Sequence, residues 1–111
     1  MLYGYGYRRS YTCSFNVGDL STTPAVFSGI QSIVRKTGAS ITIYTCTLPQ
    51  PIAYDYNVFV QIAANRTEAT TADNDFSVLV AKAVDRSSFS VAMERASGSN
   101  DVSVLAHLVE K

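Results

Sequence analysis

Apolar and polar residues alternate along most of the chain, which is the pattern of β-strands with one buried face. The run SYTCSFNV at 10–17 alternates most regularly and is the first predicted strand. Runs at 30–35 and 40–48 flank Lys36-Thr37-Gly38-Ala39, which predicts a hairpin whose glycine supplies a positive φ. The run YDYNVFVQIAA at 54–64 is apolar at odd and even positions alike, which is typical of a strand in the middle of a sheet.

Three further apolar runs, FSVLVAKAV, FSVAMER and VSVLAHLVE, fill the last third of the chain. Polar, turn-forming residues separate them at 85–88 and 96–101, so we predict an antiparallel meander of three consecutive strands. Symmetric closure of its two hairpins places Val80 opposite Met93, and Met93 opposite Val104 on the other side. The same closure places Val84 opposite Phe89.

The predicted meander has two unequal faces. The inner face is expected to form the core and carries Phe76, Val78, Val80, Val84, Phe89, Val91, Met93, Val102, Val104, Ala106 and Leu108. The opposite face is too apolar for a freely solvated sheet yet too thin for a second core, so we predict a contact surface. Its predicted oligomer-interface residues are Leu79, Ala81, Ala92, Leu105 and His107. We therefore expect a homo-oligomer, and a dimer is favoured over a trimer because two-fold contacts close most simply.

The strands define an all-β fold. A chain of 111 residues forms one domain, and its many valine, threonine, serine and aromatic residues favour strands over helices. About seven strands at these spacings predict an antiparallel two-layer β-sandwich of jelly-roll or immunoglobulin-like type over residues 10–111. The segment from Gly18 to Ser28 contains Thr23-Pro24, which fits either a helical turn or an extended crossing, and both alternatives stay open. The polar run at 67–75 predicts a surface loop.

Charge and hydropathy exclude two classes of partner. The formal net charge is zero and only 16% of residues are charged, which argues against nucleic acid as a partner. No apolar run reaches the roughly 18 residues that span a bilayer, so no membrane partner is expected. The N-terminus lacks the basic-then-apolar order of a signal peptide, so we expect the mature protein to begin at Met1. Without a secretory signal, Cys13 and Cys46 are expected as reduced thiols, with a single disulfide as the alternative.

The candidate chemistry of the chain is sparse. His107 is the only histidine, and no motif pairs it with either cysteine as a catalytic dyad. Asp73, Asn74 and Asp75 carry oxygen ligands but lack the spacing and turning glycine of a calcium loop, so they are expected to cap a strand. We predict a non-enzymatic protein with no catalytic residue, no bound metal and no cofactor.

The first nine residues predict a flexible arm. Tyrosine alternates with glycine and two arginines follow, a composition that does not hold a conformation alone. Tyrosine and arginine are enriched at protein interfaces, so we predict partner binding through Tyr3, Tyr5, Tyr7, Arg8 and Arg9. Stacking on sugar rings, or no role at all, are the alternatives.

The strings DYNVFVQIAAN, DFSVLV, SSFSV and NDVSVLAHLV cover about the last half of the chain. They resemble the closing strands of small sandwich modules in tailed-bacteriophage virion proteins, namely fibre tips, H-type-lectin-like knobs and capsid decoration proteins. For a neutral, free-standing domain with a surplus apolar face, this resemblance implies a decoration or cement protein. Such a protein is made in the host cytoplasm, lies on the outer capsid surface of the virion and clamps neighbouring subunits of the major capsid protein. The alternative is a receptor- or glycan-binding tail-fibre or lectin-like module.

Overall fold

The computed structural model describes residues 9–19, 23–38, 41–64, 78–94 and 99–111, with the backbone alone described at 18, 19, 64, 79 and 99–102. All regular structure in these ranges is β. The strands are β1 (Ser10–Asp19), β2 (Phe27–Ser28), β3 (Ser32–Thr37), β4 (Ile41–Thr47), β5 (Tyr56–Ala64), β6 (Val78–Asp85), β7 (Ser88–Glu94) and β8 (Ser99–Glu110). The strand beyond the seven that we predicted is β2, which has two residues.

The strands form two antiparallel sheets that pack face to face. The first sheet has the order β2-β1-β8-β5 and the second has the order β3-β4-β7-β6. The rings of Phe15 on β1 and Tyr44 on β4 lie 5.2 Å apart between centroids, which joins the sheets at their centres. The predicted two-layer antiparallel β-sandwich is confirmed.

The core fills the space between the two sheets. Its buried residues are Cys13, Phe15, Val17, Ile30, Ile33, Tyr44, Cys46, Leu48, Tyr56, Phe89, Val91, Met93, Val104, Ala106 and Leu108. Alternate residues of each strand point inward because side chains of a strand alternate between its two faces. The prediction that Phe89, Val91 and Met93 and the alternate residues of β8 from Val104 to Leu108 are buried is therefore confirmed.

The hairpin of β3 and β4 is confirmed, with Ser32 opposite Thr47 and Thr37 opposite Thr42. The Gly38 amide donates a hydrogen bond of 2.7 Å to the carbonyl oxygen of Ile41. The predicted positive φ at Gly38 is wrong. That conformation belongs instead to Gly29, whose φ is 74°.

The segment before β3 is extended where the structure describes it. Residues 23–26 have no regular structure, and β2 then pairs with β1 through Ser28 opposite Ser14. The Asn16 amide donates a 2.9 Å hydrogen bond to the carbonyl oxygen of Val26, which holds this crossing segment against the first sheet. The extended alternative is right for residues 23–28. The predicted loop at 67–75 lies outside the described residues.

The prediction of a three-stranded meander is wrong in its last step. β6 and β7 form the expected hairpin, but β8 crosses to the first sheet and lies between β1 and β5. There Val104 lies opposite Phe15 on one side and Ile62 on the other. The inner residues of β8 are buried in either arrangement, so alternation along the chain cannot distinguish a neighbour in sequence from a distant strand.

The predicted register of β6 is also wrong. The strand pairs Val78 with Met93 and then Val80 with Ala92, so one extra residue stands at Leu79 in a β-bulge. Beyond the bulge the faces are exchanged, because a shift of one residue turns every later side chain over. Ala81 and Ala83 pack against the core, whereas Val80 and Val84, predicted as core, face outward.

A buried tyrosine fixes β5 over the hairpin of β6 and β7. The hydroxyl of Tyr56 lies 2.8 Å from the carbonyl oxygen of Asp85 and 2.7 Å from that of Ser88, and its one hydrogen is donated there. Burial is the main cause that raises the pKa of Tyr56 to about 12. The hydroxyl therefore stays protonated and keeps this bond well above neutral pH.

We expect Thr42→Val to stabilise the protein. The Thr42 side chain is buried, and its hydroxyl has no hydrogen-bond partner among the described residues. Burying an unpaired hydroxyl costs free energy, so its replacement by a methyl group should raise the free energy of unfolding by about 1 kcal/mol. Urea denaturation measures this change.

Thr45→Val is the matched control, because Thr45 lies on the same strand but points to the half-buried outer side. Its free energy of unfolding should change by about 0.5 kcal/mol or less. A loss of stability in the Thr42 variant would show that its hydroxyl makes a stabilising bond.

Candidate functional site

The predicted oligomer-interface residues do not share one surface. Leu105 and His107 lie on the outer side of the first sheet, while Ala92 lies on the outer side of the second sheet, across the sandwich. Ala81 packs against the core, so its predicted outward position is wrong. The side chain of Leu79 is not described. The single contact face predicted from the meander is thus divided because β8 belongs to the other sheet.

The outer side of the second sheet is the larger apolar surface. Val34 is 65% exposed, Val80 53% and Val84 54%. The register places Ile43 opposite Ala92, and Ala92 opposite Val80, so the apolar residues continue from strand to strand. We call this surface the apolar face, and it consists of Val34, Ile41, Ile43, Val80, Val84 and Ala92.

Charged residues border the apolar face, and Lys82 stands between Val80 and Val84 on β6. Lys36 lies opposite Ile43 on the β3 edge, and Lys82 lies opposite Ser90 on the β6 edge. Glu94 ends β7 beside Ile41. Contiguous exposed apolar residues with a polar rim are typical of protein contact surfaces.

A cluster of polar side chains occupies the outer side of the first sheet. His107 Nδ1 lies 3.4 Å from Thr12 Oγ1, and its Nε2 lies 3.3 Å from Gln61 Oε1. A neutral ring satisfies both contacts, because Nε2–H donates to the amide oxygen while Nδ1 accepts from the hydroxyl. Phe59 lies opposite His107 and is 57% exposed. We call Thr12, Phe59, Gln61 and His107 the histidine cluster.

The imidazole of the histidine cluster contacts the hydroxyl of Thr12 and the amide of Gln61, and neither cysteine belongs to the cluster. Cys13 and Cys46 are free and buried in the core, away from this outer surface. Burial raises the pKa of Cys13 to about 11 and is the larger cause that raises the pKa of Cys46 to about 12. Both thiols are therefore protonated at neutral pH and unreactive in the folded protein.

Metal-ligating side chains do not converge within the described ranges. No three His, Cys, Asp or Glu side chains there are placed to hold an ion. The structure also has no helix in its described part that is long and apolar enough to cross a membrane.

A cavity of about 270 Å³ opens beside the start of β1, and the sequence did not predict it. Its lining residues are Tyr11, Leu48, Pro49, Gln50, Pro51 and Ile52. The Tyr11 hydroxyl donates a 2.9 Å hydrogen bond to the carbonyl oxygen of Gly29, which fixes that wall. Pro49 and Pro51, which follow β4, are visible in the sequence as residues that end a strand. Their proximity to Tyr11 could not be predicted, because it comes from the packing of the two sheets.

The predicted partner-binding arm begins at a fixed point. The Glu110 amide donates a 3.1 Å hydrogen bond to the carbonyl oxygen of Arg9, and Arg9 donates its own amide hydrogen to Glu110 Oε1 at 3.4 Å. Arg9 therefore lies at the end of the first sheet. Tyr3, Tyr5, Tyr7 and Arg8 lie outside the described residues, and their role stays a prediction.

No family model, curated protein or solved structure matches this chain.

Proposed function

We propose that this chain is a non-enzymatic virion structural protein. It binds the outer surface of a phage capsid and clamps neighbouring subunits of the major capsid protein. The observation that supports this proposal is the apolar face, whose three valines are each more than half exposed. Fully burying one valine side chain contributes about 1.5 kcal/mol or more, so a flat partner surface would bind here.

The size of the apolar face favours a second contact. The whole outer side of the second sheet, with four strands about 4.8 Å apart and about six residues long, presents a surface of roughly 400 Å². Stable interfaces bury about 800 Å² on each partner, so this outer side, which includes the apolar face, supplies about half. Tyrosine side chains bury about 150 Å² or more each, and the three tyrosines at positions 3, 5 and 7 match the remainder.

The two proposed contacts start from different sheets, which suits a clamp. Arg9, to which residues 1–8 are joined, lies at the end of the first sheet, whereas the apolar face lies on the outer side of the second. One molecule can therefore contact one capsid subunit with its apolar face and a neighbouring subunit with its arm.

Co-sedimentation with capsids of the phage that encodes the chain tests this proposal. We expect Val80→Asp/Val84→Asp to lose attachment, because two charges on the apolar face would have to be buried without partners. Phe59→Asp is the matched control, since Phe59 is equally exposed on the opposite outer surface, and this variant should attach like the wild type. Equal attachment of all three proteins would contradict the proposal.

A receptor- or glycan-binding module is the second candidate function, and the histidine cluster is the observation that favours it. An exposed aromatic ring beside imidazole and amide groups can stack on a sugar and bond to its hydroxyls. The same variants distinguish the two functions on a glycan array. Glycan binding should be lost in Phe59→Asp and kept in Val80→Asp/Val84→Asp, which is the reverse of the pattern for capsids.

A further inference from the structure

The strand β5 forms one edge of the first sheet. One side of it pairs with β8 over its full length, from Tyr56 opposite Glu110 to Ala64 opposite Val102, without any irregularity in register. No other strand in the described ranges pairs with its second side. Nine residues of backbone thus present amide and carbonyl groups along an open edge.

The other edge strands of the sandwich carry features that discourage pairing. β2 has two residues and is too short to extend a sheet. β3 carries Arg35 and Lys36, and β6 carries Lys82 together with two register shifts that distort its edge. Short strands, charges and bulges are the means by which proteins protect sheet edges. β5, with the sequence YNVFVQIAA, has no charge, proline, glycine or bulge.

The residues of β5 are more apolar than its position at an edge requires. Its residues from Val58 to Ile62 are apolar at both odd and even positions apart from Gln61, and the sequence predicts a central strand. The single chain places it at an edge instead, with Phe59 57% and Ile62 36% exposed. A second strand beside β5 would pair its open backbone groups and cover part of these two side chains.

We propose that two copies of this chain pair antiparallel through β5. The two first sheets then join into one sheet of eight strands, in the order β2-β1-β8-β5 followed by β5-β8-β1-β2 of the second copy. This contact goes beyond the proposed capsid attachment, because it leaves the apolar face uncovered.

The charge pattern of the edges favours a second copy as the occupant. In an antiparallel pair about a two-fold axis, a residue before the axis lies opposite a residue after it, so an edge whose charges all have one sign repels its own copy in any register. Pairing through β3 would bring Arg35 and Lys36 of the two copies together, and β6 is distorted by its two register shifts. β5 carries no charge and no register shift, so two copies of it pair without such repulsion or distortion.

Sedimentation of a lysine variant of β5 tests the pairing. Phe59 and Gln61 are exposed side chains on the outer side of β5, so Phe59→Lys/Gln61→Lys should fold. Four lysines would then meet at the junction, and we expect the dimer dissociation constant to rise by about tenfold or more. The matched control is Ser32→Lys/Val34→Lys on β3, an exposed pair at the edge of the other sheet.

The wild type and the β3 control should sediment as dimers under conditions where the β5 variant is a monomer. A monomeric or trimeric wild type, or a β5 variant that dimerises like the control, would overturn the proposal. Circular dichroism and thermal melting confirm that the variants are folded.

Amide hydrogen exchange of the wild-type protein tests the same pairing without any substitution. Alternate amides of Tyr56–Ala64 point away from β8 and are open to solvent in a single copy. These amides should exchange slowly at high protein concentration and rapidly on dilution, while those bonded to β8 stay protected throughout. Exchange rates that do not depend on concentration would contradict pairing through β5.

Discussion

Replacing Val91 by aspartate is expected to abolish folding. Val91 is completely buried at the centre of β7, opposite Tyr44 on one side and Ala81 on the other. Burying a charge there without a partner costs several kcal/mol, which is comparable to the whole stability of a small domain. Circular dichroism should show loss of the β spectrum, and no cooperative thermal transition should remain.

Leu105→Asp is the matched control, since Leu105 is only partly buried on the outer side of β8. This variant should fold, because its carboxylate can reach water. An unfolded Leu105 variant, or a Val91 variant with the melting temperature of the wild type, would contradict the assignment of inner and outer faces. The Leu105 variant should also keep the β5 dimer, whereas it would become a monomer if Leu105 and His107 formed the interface.

Replacing Gly29 by alanine should destabilise the protein strongly. Its φ of 74° is strained for a residue with a side chain, and a Cβ would lie 3.0 Å from Cys13 Cβ and 3.1 Å from the Thr12 carbonyl oxygen. These atoms belong to the core strand β1 and cannot move aside cheaply. We expect a loss of about 2 kcal/mol or more and a melting temperature lower by about 10 °C.

Gly38→Ala is the control for this effect. Gly38 does not have a positive φ, and a Cβ there would meet the Ile41 carbonyl oxygen at 3.5 Å, which is ordinary contact. Its melting temperature should stay within a few degrees of the wild type. Equal melting temperatures for the two alanine variants would show that Gly29 is not constrained in this way.

Local pattern predicted the strands and, apart from β6, their buried sides, but it did not predict the neighbours of β8. Alternation identified β1 and the hairpin of β3 and β4, because both depend on residues close in sequence. The position of β8 depends on β1, almost the whole chain away, and its inner residues would be buried beside β7 as well. Strands that are consecutive in sequence usually pair, but β7 and β8 lie in different sheets.

A single bulged residue explains the error in β6. Leu79, Val80 and Ala81 are all apolar, so the sequence does not show which two of them share a face. The bulge after Val78 decides the question and turns Ala81 inward and Val80 outward. The predicted contact residues Leu79 and Ala81 were chosen from the wrong register of β6, so the predicted contact surface contains the same error.

The apolar face could not be predicted from any one stretch of sequence. Val34, Ile43 and Val80 come from three strands that are distant in sequence and become neighbours through pairing. Each appears in the sequence as an ordinary strand residue. The same holds for the histidine cluster, where Thr12, Gln61 and His107 come from three strands of the first sheet.

Thermal disruption of capsid shells measures most directly whether this chain acts as a cement. If the proposal is right, a phage encodes this chain, and shells of that phage would be heated with and without the purified protein. Light scattering would follow the disruption of the shells. A ligand that binds only the intact shell stabilises it by mass action, so the disruption temperature should rise with protein concentration until the sites are filled. The Val80→Asp/Val84→Asp variant should give no rise. An unchanged disruption temperature at a large excess of wild-type protein would contradict the proposal that this chain is a capsid decoration protein.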